Sequence, residues 1–470
     1  MGNGDRIRVG VVAGYMAFFE GIMPEGYREE KAEWARRIVR RLEDAGFEPV
    51  FPGLIVTRED GVAAGEQFVN SGVDVILVAP TMAAPPEFSW EAVKRLPRTP
   101  LIVWDMHEMT EIPDGYTMRD LVRHSNNVGT IMFTNTALRH GRSFQLFVGA
   151  EHDRRTEAKV FKAIRAGKAA SAFLNGRIGI IGRPLDGYVN VTASPGDLAD
   201  TFGLQVREIG SDEFTRTFRQ VTDEEIGAKR RWLEEHTLVE AERDHAFRQS
   251  LALTVTLEKL TEQYGLIGGA FNCRAEYAAK NPEIGVIGCL GVSYMTSVGK
   301  PYTCTGDIVT ALAMIAAKQL GGDILYCECD QIDYVEDYML MANTGESDFC
   351  LSCEKPCVIS TRGHSGQPLK GASVFISAKP GPATLVGMSP KKGAKGGWVL
   401  VIAPGEILGT RHQELRVGNC MFRFRNGPTP EAFRRWCLAG ATHHGALSSG
   451  DLTEELVMFG EMLGIETVVI

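Results

Sequence analysis

The sequence Val-Asp-Val-Ile-Leu-Val-Ala-Pro at residues 73–80 determines the predicted fold of the first part of the chain. Its central residues are apolar on both faces of a predicted strand. Comparable runs occur at 6–12, 48–51, 100–104 and 143–148. Amphipathic helical patterns separate these runs, for example at 29–45 and 61–71. Strands that are apolar on both faces and alternate with helices are typical of a parallel sheet covered by helices. We therefore predict a doubly wound α/β domain over residues 1–175.

The same pattern resumes at Arg177-Ile-Gly-Ile-Ile-Gly-Arg183, a buried strand that enters a glycine-containing loop. This start predicts a second doubly wound, Rossmann-like domain over residues 176–320. Beyond it the segments become short and rich in glycine, proline and valine, as at 372–377 and 398–403. Such spacing indicates an antiparallel sheet or small barrel. The predicted fold class is therefore α/β, with two parallel-sheet domains followed by a C-terminal antiparallel β-barrel-like domain over 321–470, which ends in a closing helix.

Length and composition limit the class of function. The 470 residues suffice for about three domains at about 150 residues each. Fifty Lys and Arg against 59 Asp and Glu give a net charge of −9, which argues against a nucleic-acid partner. No apolar run is long enough to span a membrane, so we predict neither a membrane nor a nucleic-acid partner. A cytoplasmic enzyme with a small-molecule substrate is the expectation.

The ten cysteines all lie between Cys273 and Cys437, and without a signal peptide they are expected to be reduced. Cys350, Cys353 and Cys357 are spaced closely enough to bind zinc or an iron–sulfur cluster. The spacing fits no standard four-ligand pattern, and small buried cysteines are common. The role of these three cysteines stays open at this point.

Several polar residues follow predicted strands or begin predicted helices. His443 and His444 lie between small residues and could bind a transition metal or a polyol. Glu328 and Asp330 end a predicted strand on the same face, where paired carboxylates hold a divalent cation or transfer protons. A solvated strand end is the alternative. Asp307 begins a predicted helix, either as its cap or beside a ligand.

Two further histidines lie in the first predicted domain. His107 follows a predicted parallel strand, where a substrate contact is expected. His140, in Arg-His-Gly-Arg at 139–142, is either a substrate contact or a solvated loop residue. The loop after the first strand has no Gly-x-Gly-x-x-Gly, so a dinucleotide site is not predicted.

Taken in order, these segments resemble a known family. The closing segments Trp436–Ser448 and Phe459–Ile470 resemble the C-terminus of the L-arabinose isomerases. The segments Leu138–Phe144, Cys304–Ala311 and Tyr326–Asp330 are similar to further family motifs in the same order. The chain is therefore identified as a suspected member of the L-fucose/L-arabinose isomerase superfamily.

The resemblance implies an aldose–ketose isomerase that works through an enediol with a divalent cation, typically Mn²⁺. It also implies a homo-oligomer, a trimer or a hexamer. His444 matches a family metal ligand and Glu328 the second acidic ligand, with Asp330 as its competitor. The first family glutamate falls on Thr305, and a family histidine falls in 341–346, at Asn343 or Glu346.

The site residues expected from these matches and from the residue patterns fall into three roles. The catalytic candidates are Glu328, Asp330 and Asp307; the metal ligands are Glu328, Glu346 and His444; the substrate contacts are His443, His140, His107, Thr305 and Asn343. Threonine cannot replace a carboxylate as a base, and losing such a group typically costs about 10²- to 10⁴-fold in rate. We therefore expect a sugar or modified sugar other than L-arabinose as substrate. The alternatives are a lyase, epimerase or transfer enzyme on an oxidised sugar, and a non-catalytic sugar-binding homologue.

Overall fold

A parallel sheet flanked by helices forms the first part of the chain in the computed structural model, which describes residues 6–343, 345–361 and 370–470. Its strands are β1 (Arg8–Gly14), β2 (Glu48–Val50), β3 (Leu54–Ile55), β4 (Val75–Val78), β5 (Leu101–His107) and β6 (Gln145–Ala150). Its helices are α1 (Tyr27–Asp44), α2 (Arg58–Ser71), α3 (Pro86–Lys94), α4 (Met118–Arg123), α5 (Asn126–Arg139) and α6 (Arg154–Leu174). The strand order is β2-β1-β4-β5-β6, with β3 paired to the end of β1, and all pairings are parallel. All four residues of β4 are buried, as expected for the centre of such a sheet.

A second, four-stranded parallel sheet follows in the order β11-β10-β7-β8. The strands of this region are β7 (Arg177–Ile181), β8 (Gln205–Ile209), β9 (Leu238–Val239), β10 (Gly269–Phe271) and β11 (Tyr302–Thr303). The helices are α7 (Pro195–Phe202), α8 (Ser211–Arg219), α9 (Asp223–His236), α10 (His245–Tyr264), α11 (Cys289–Ser297) and α12 (Ile308–Gln319). Ten of the twelve residues of α12 are buried, so this helix belongs to the core of its unit.

The last part of the chain is a large, mostly antiparallel sheet. Its strands and their neighbours are β12 (Ile324–Asp333), β13 (Tyr338–Ala342), β14 (Cys357–Ser360), β15 (Ala372–Phe375), β16 (Gly381–Pro390), β17 (Trp398–Gly409), β18 (Asn419–Phe424), β19 (His444–Ser449) and β20 (Glu466–Val469). The order is β16-β19-β12-β13-β18-β17-β20, and β16 also pairs with β17, which makes the arrangement barrel-like. Only the β17–β20 pairing within this sheet is parallel in the described residues. Strands β9, β14 and β15 form a small separate sheet, and the helices α13 (Thr429–Ala439) and α14 (Thr453–Leu463) complete this part.

The predicted fold class is confirmed: parallel-sheet α/β domains precede a C-terminal sheet, which is mixed rather than purely antiparallel. The chain divides into two compact units, one ending at Leu174 and the other beginning at Asn175. The predicted boundary at 320/321 lies inside the second unit and stays a prediction. No helix among the described residues is both long and apolar enough to cross a membrane.

Candidate functional site

The start of α12 and the paired strands β12 and β19 bring several predicted polar residues together. Glu328 lies opposite His444 in the antiparallel pairing of β12 with β19. Tyr326 lies two residues before Glu328 and therefore on the same face of β12. Asp307 is the N-cap of α12, and its Oδ1 accepts a hydrogen bond from the backbone N–H of Thr310 at 2.9 Å. Strand register and helix start therefore fix the positions of these side chains.

Asp307 and Tyr326 hold the ring of His444. Asp307 Oδ2 lies 2.7 Å from His444 Nδ1, and the Tyr326 hydroxyl lies 2.8 Å from the same nitrogen. Burial raises the pKa of Tyr326, so its hydroxyl stays protonated. Burial lowers the pKa of His444, but hydrogen bonds to Asp307 and Glu328 outweigh it and raise the pKa to about 9. At neutral pH the ring therefore carries a proton on each nitrogen, and its Nδ1–H is donated to the Asp307 carboxylate.

The other ring nitrogen of His444 faces a group of metal-ligating side chains. His444 Nε2 lies 3.4 Å from Glu328 Oε1. One ligand atom from each of Glu328, His443 and His444 lies within 4.8 Å of the others. Carboxylate oxygen and imidazole nitrogen suit Mn²⁺ and its neighbours among the divalent metals. A histidine whose Nδ1–H is held by a carboxylate is also the usual arrangement around a metal-bound imidazole. The residues present therefore fit a divalent cation.

His443 differs from His444 in its surroundings. The Asn190 side-chain nitrogen lies 2.7 Å from His443 Nδ1, and the Tyr188 and His443 ring centroids are 5.7 Å apart. Burial lowers the pKa of His443, and the charge of His444 lowers it further. When Asn190 donates to Nδ1, the neutral His443 ring carries its proton on Nε2. In that tautomer, the Nε2–H of His443 can donate a hydrogen bond to a hydroxyl group of a ligand.

Thr305 lies between β11 and α12 in an unusual backbone conformation. Its φ is 58°, in the left-handed region, which a β-branched residue rarely adopts. The following Gly306 is also left-handed, at φ 77°. Such conformations cost about 1–3 kcal/mol each in non-glycine residues and cluster at functional sites. Thr305 is therefore next to the site, two residues before Asp307, in a strained turn.

Other predicted site residues of the second unit lie outside the three-ligand group. Asp330 is exposed at a β-bulge between Cys329 and Gln331, and the bulge interrupts the alternation on which the shared face with Glu328 was predicted. Glu346 is buried; its charge adds to burial in raising the pKa of Cys289 and also that of Tyr326.

Asn343 is buried just after β13, and its backbone N–H donates to the Gly418 carbonyl at 3.2 Å. Thr344, in the same predicted segment, lies outside the described residues. The roles assigned to Asp330, Glu346 and Asn343 stay predictions.

His107 and His140 belong to the first unit. His107 Nε2 lies 3.2 Å from Asp105 Oδ1, and the hydrogen bond to Asp105 raises the pKa of His107. His140 follows the last residue of α5 and stacks on Trp90 with ring centroids 4.6 Å apart. Their predicted substrate contacts stay predictions.

The cysteines do not form a metal-ligating group of their own among the described residues. Cys350 groups instead with Asp323 and Asp348. The ammonium of Lys318 lies 2.5 Å from Asp348 and 3.5 Å from Asp323, so the carboxylates already have a cationic partner. Cys353 is exposed and Cys357 is buried. This arrangement favours free thiols over a zinc or iron–sulfur site.

Sequence patterns missed two contributors to the site. Tyr326 could have been found from its two-residue spacing from Glu328 along a strand. Asn190 lies in a loop 253 positions from its partner His443 and gives no sequence signal.

Comparisons with known proteins agree with the sequence motifs. Residues 330–466 match the family described as the L-arabinose isomerase C-terminal domain. Two proteins named sulfoquinovose isomerase, from Priestia aryabhattai and Priestia megaterium (strain ATCC 12872 / QMB1551), are each 20% identical to this chain over 455 residues. Each alignment covers 96% of this chain and 96% of the relative. Together these findings confirm the predicted relationship to the L-fucose/L-arabinose isomerase superfamily.

Proposed function

We propose that this relative of the L-arabinose isomerases is a metal-dependent aldose–ketose isomerase that acts through an enediol on a modified sugar other than L-arabinose. The observation that carries the proposal is the group formed by Glu328, His443 and His444, backed by Asp307. The name of the two relatives makes a sulfonated hexose the first substrate to test.

In this proposal Glu328 and His444 hold the cation. When bound, a divalent cation supplies Lewis-acid polarisation of the substrate carbonyl. Asp307 acts as a positioning residue, because both of its carboxylate oxygens are engaged, one by the α12 backbone and one by His444. It holds the Nδ1–H of His444, so Nε2 is the nitrogen that would lose its proton and bind the cation.

The proton transfer between two substrate carbons needs a carboxylate that can reach the substrate. Asp307 is fully buried, whereas 40% of the Glu328 side chain is exposed. Glu328 is therefore the better candidate for the residue that accepts the proton from one carbon and returns it to the next. His443 would orient a hydroxyl through Nε2, with Asn190 fixing its tautomer.

Thr305 supports a substrate other than L-arabinose. The side chain of Thr305 is neutral and lies where the family has its first glutamate. Of the two acidic residues of the family, only the one that matches Glu328 is therefore kept. The backbone of Thr305 is strained, and strained residues cluster at functional sites. The threonine is therefore better explained by a changed function than by a chance substitution in a relaxed loop.

The test is an incubation of purified protein and Mn²⁺ with L-arabinose, glucose and sulfoquinovose, followed by NMR of the products. We expect conversion of a modified aldose into its ketose, with the substrate formula conserved. The reaction repeated in D₂O should place solvent deuterium on carbon in part of the product, as exchange at an enediol requires. Efficient formation of L-ribulose from L-arabinose would contradict the proposed specificity. A product that has lost or gained atoms would favour the lyase or transfer alternative.

A further inference from the structure

A cavity of about 340 Å³ opens at the carboxyl end of the four-stranded parallel sheet. In that sheet β7 has β8 on one side and β10 on the other, so the chain reverses its direction across the sheet at β7. Ligands of open α/β sheets bind in the crevice at such a switch point. The residues lining the cavity accordingly follow β7, end β8 or lie beyond β10; they include Gly182, Arg183, Thr192, Glu208, Tyr277 and Gly306.

Two segments of the chain connect the lining of the cavity to residues that contact His443 and His444. Gly306 lines it and precedes Asp307, which hydrogen-bonds His444. A Cβ on Gly306 would lie 2.9 Å from the backbone nitrogen of Pro184, so the turn before α12 packs directly on the loop after β7. The same loop carries Asn190, which contacts His443, and Thr192 lines the cavity two residues later. Two residues span at most about 7 Å of chain.

The charged groups at the cavity suit a polar ligand with one anionic group. Arg183 is exposed and, within residues 6–343, 345–361 and 370–470, has no ion-pair partner. Glu208, the penultimate residue of β8, lines the same cavity. Both charges act on the Tyr277 hydroxyl, whose pKa is raised mainly by burial. A guanidinium is the preferred partner of a planar or tetrahedral oxyanion, and a carboxylate accepts hydrogen bonds from hydroxyl groups.

We infer that this cavity is a specificity subsite that binds the oxyanionic substituent of the sugar substrate, with Arg183 contacting the anion and Glu208 accepting hydrogen bonds from sugar hydroxyls. This inference rests on the proposed function, since it places the reacting end of the same sugar at Glu328 and His444. It names the substrate class more narrowly, as a sugar that carries a sulfonate or a similar oxyanion away from its carbonyl end.

The experiment compares sulfoquinovose with glucose, which has a hydroxyl where sulfoquinovose has a sulfonate. The variant Arg183→Met removes the charge and keeps the aliphatic stem. The matched control is Arg216→Met, which removes an exposed arginine from α8 that does not line the cavity. Steady-state kinetics of the Mn²⁺-loaded wild type and both variants give kcat/KM for each sugar.

We expect the wild type to prefer sulfoquinovose over glucose. Arg183→Met should lower the ratio of the two kcat/KM values about 10- to 100-fold, mainly through a higher KM for sulfoquinovose, because one charge-assisted hydrogen-bonded contact is lost. Arg183→Lys should recover part of the ratio, and Arg216→Met should leave it unchanged. An equal ratio in wild type and Arg183→Met would overturn the inference while isomerase activity still supports the proposed function.

If no sugar is isomerised, a binding measurement without turnover still tests the anion subsite separately from the proposed isomerase function. The probe is the alditol made by reduction of sulfoquinovose, titrated by calorimetry into the Mn²⁺-loaded protein. Binding that is lost in Arg183→Met but retained in Arg216→Met supports the subsite even if the isomerase proposal fails. No binding, or binding that Arg183→Met does not weaken, overturns the subsite.

Discussion

Asp307 Oδ2 and His444 Nδ1 are 2.7 Å apart although 137 positions separate the two residues in the sequence. The contact joins the start of α12 to the first residue of β19, and both side chains are buried. Asp307 also caps α12, so one carboxylate both stabilises a core helix and sets the proton position on a candidate metal ligand.

The first prediction concerns Asp307→Asn. Asparagine caps helices about as well as aspartate, so the fold should be kept. The loss of the carboxylate that holds the Nδ1 proton of His444 should weaken metal binding about 10- to 100-fold. Calorimetric titration of metal-free protein with Mn²⁺ measures the affinity, and thermal unfolding monitors the fold.

The matched control for this prediction is Asp244→Asn. Asp244 caps α10 through a 2.9 Å hydrogen bond from the Phe247 backbone N–H and is not among the grouped ligand residues. Asp244→Asn should change Mn²⁺ affinity less than about twofold, because asparagine keeps the cap and Asp244 lies outside the grouped ligand residues. Equal Mn²⁺ affinities for Asp307→Asn and the wild type would show that Asp307 is a cap only.

A second prediction addresses Glu328. Replacement by glutamine keeps the shape of the side chain but removes the proton acceptor, so kcat should fall about 10²- to 10⁴-fold at saturating Mn²⁺. Glu224→Gln, at an exposed glutamate in the first turn of α9, is the control and should retain wild-type kcat. A Glu328→Gln enzyme within tenfold of wild type would assign the base to another residue.

Thr305 gives a prediction about stability. Its φ of 58° is unfavourable for a β-branched residue and acceptable for glycine. Thr305→Gly should therefore raise the free energy of unfolding by about 1 kcal/mol, whereas Thr305→Ala, which keeps a Cβ, should give no comparable gain. Urea unfolding of the three proteins measures this. If Thr305→Gly is no more stable than Thr305→Ala, the turn is not strained.

These residues also show how far sequence alone could go. The apolar run at 73–80 predicted a central parallel strand, and β4 is indeed buried on both faces. The prediction succeeds because a strand that is buried on both sides is apolar along its length, which can be read from the local sequence. Glu328 and His444 could be singled out by their motifs. Their pairing across β12 and β19 required the sheet register, which no local pattern encodes.

Other features depended on contacts between distant segments. The bulge at Asp330 changes which residues share a face, and a strand pattern with a period of two cannot anticipate it. Asn190 contacts His443 from a loop, and the left-handed conformation of Thr305 is set by packing around a turn. Tertiary packing sets these contacts and backbone conformations, and it outweighs the local conformational preference of the sequence.

A further prediction concerns the thiols. Cys350, Cys353 and Cys437 are exposed and should be the cysteines that alkylate in the native protein, with Cys350 the slowest of the three near neutral pH, whereas all ten cysteines should react after denaturation. Burial, aided by the charge of Asp348, raises the pKa of Cys350 to about 11. Because the thiolate is the reactive form, alkylation of Cys350 should speed up about tenfold per pH unit below that value. Peptide mass spectrometry after timed iodoacetamide treatment measures both effects, and rapid native labelling of the buried Cys420 would contradict the packing described.

We propose that Glu328 and His444 hold the divalent cation of a sugar isomerase, with His443 beside them. The most direct measurement follows ketose formation from sulfoquinovose by NMR, first with chelator-treated protein and then after Mn²⁺ is added back, with the metal content determined in each sample. We predict no conversion without metal, and conversion restored as about one Mn²⁺ binds per chain. Undiminished conversion by protein shown to be free of divalent metal would contradict it.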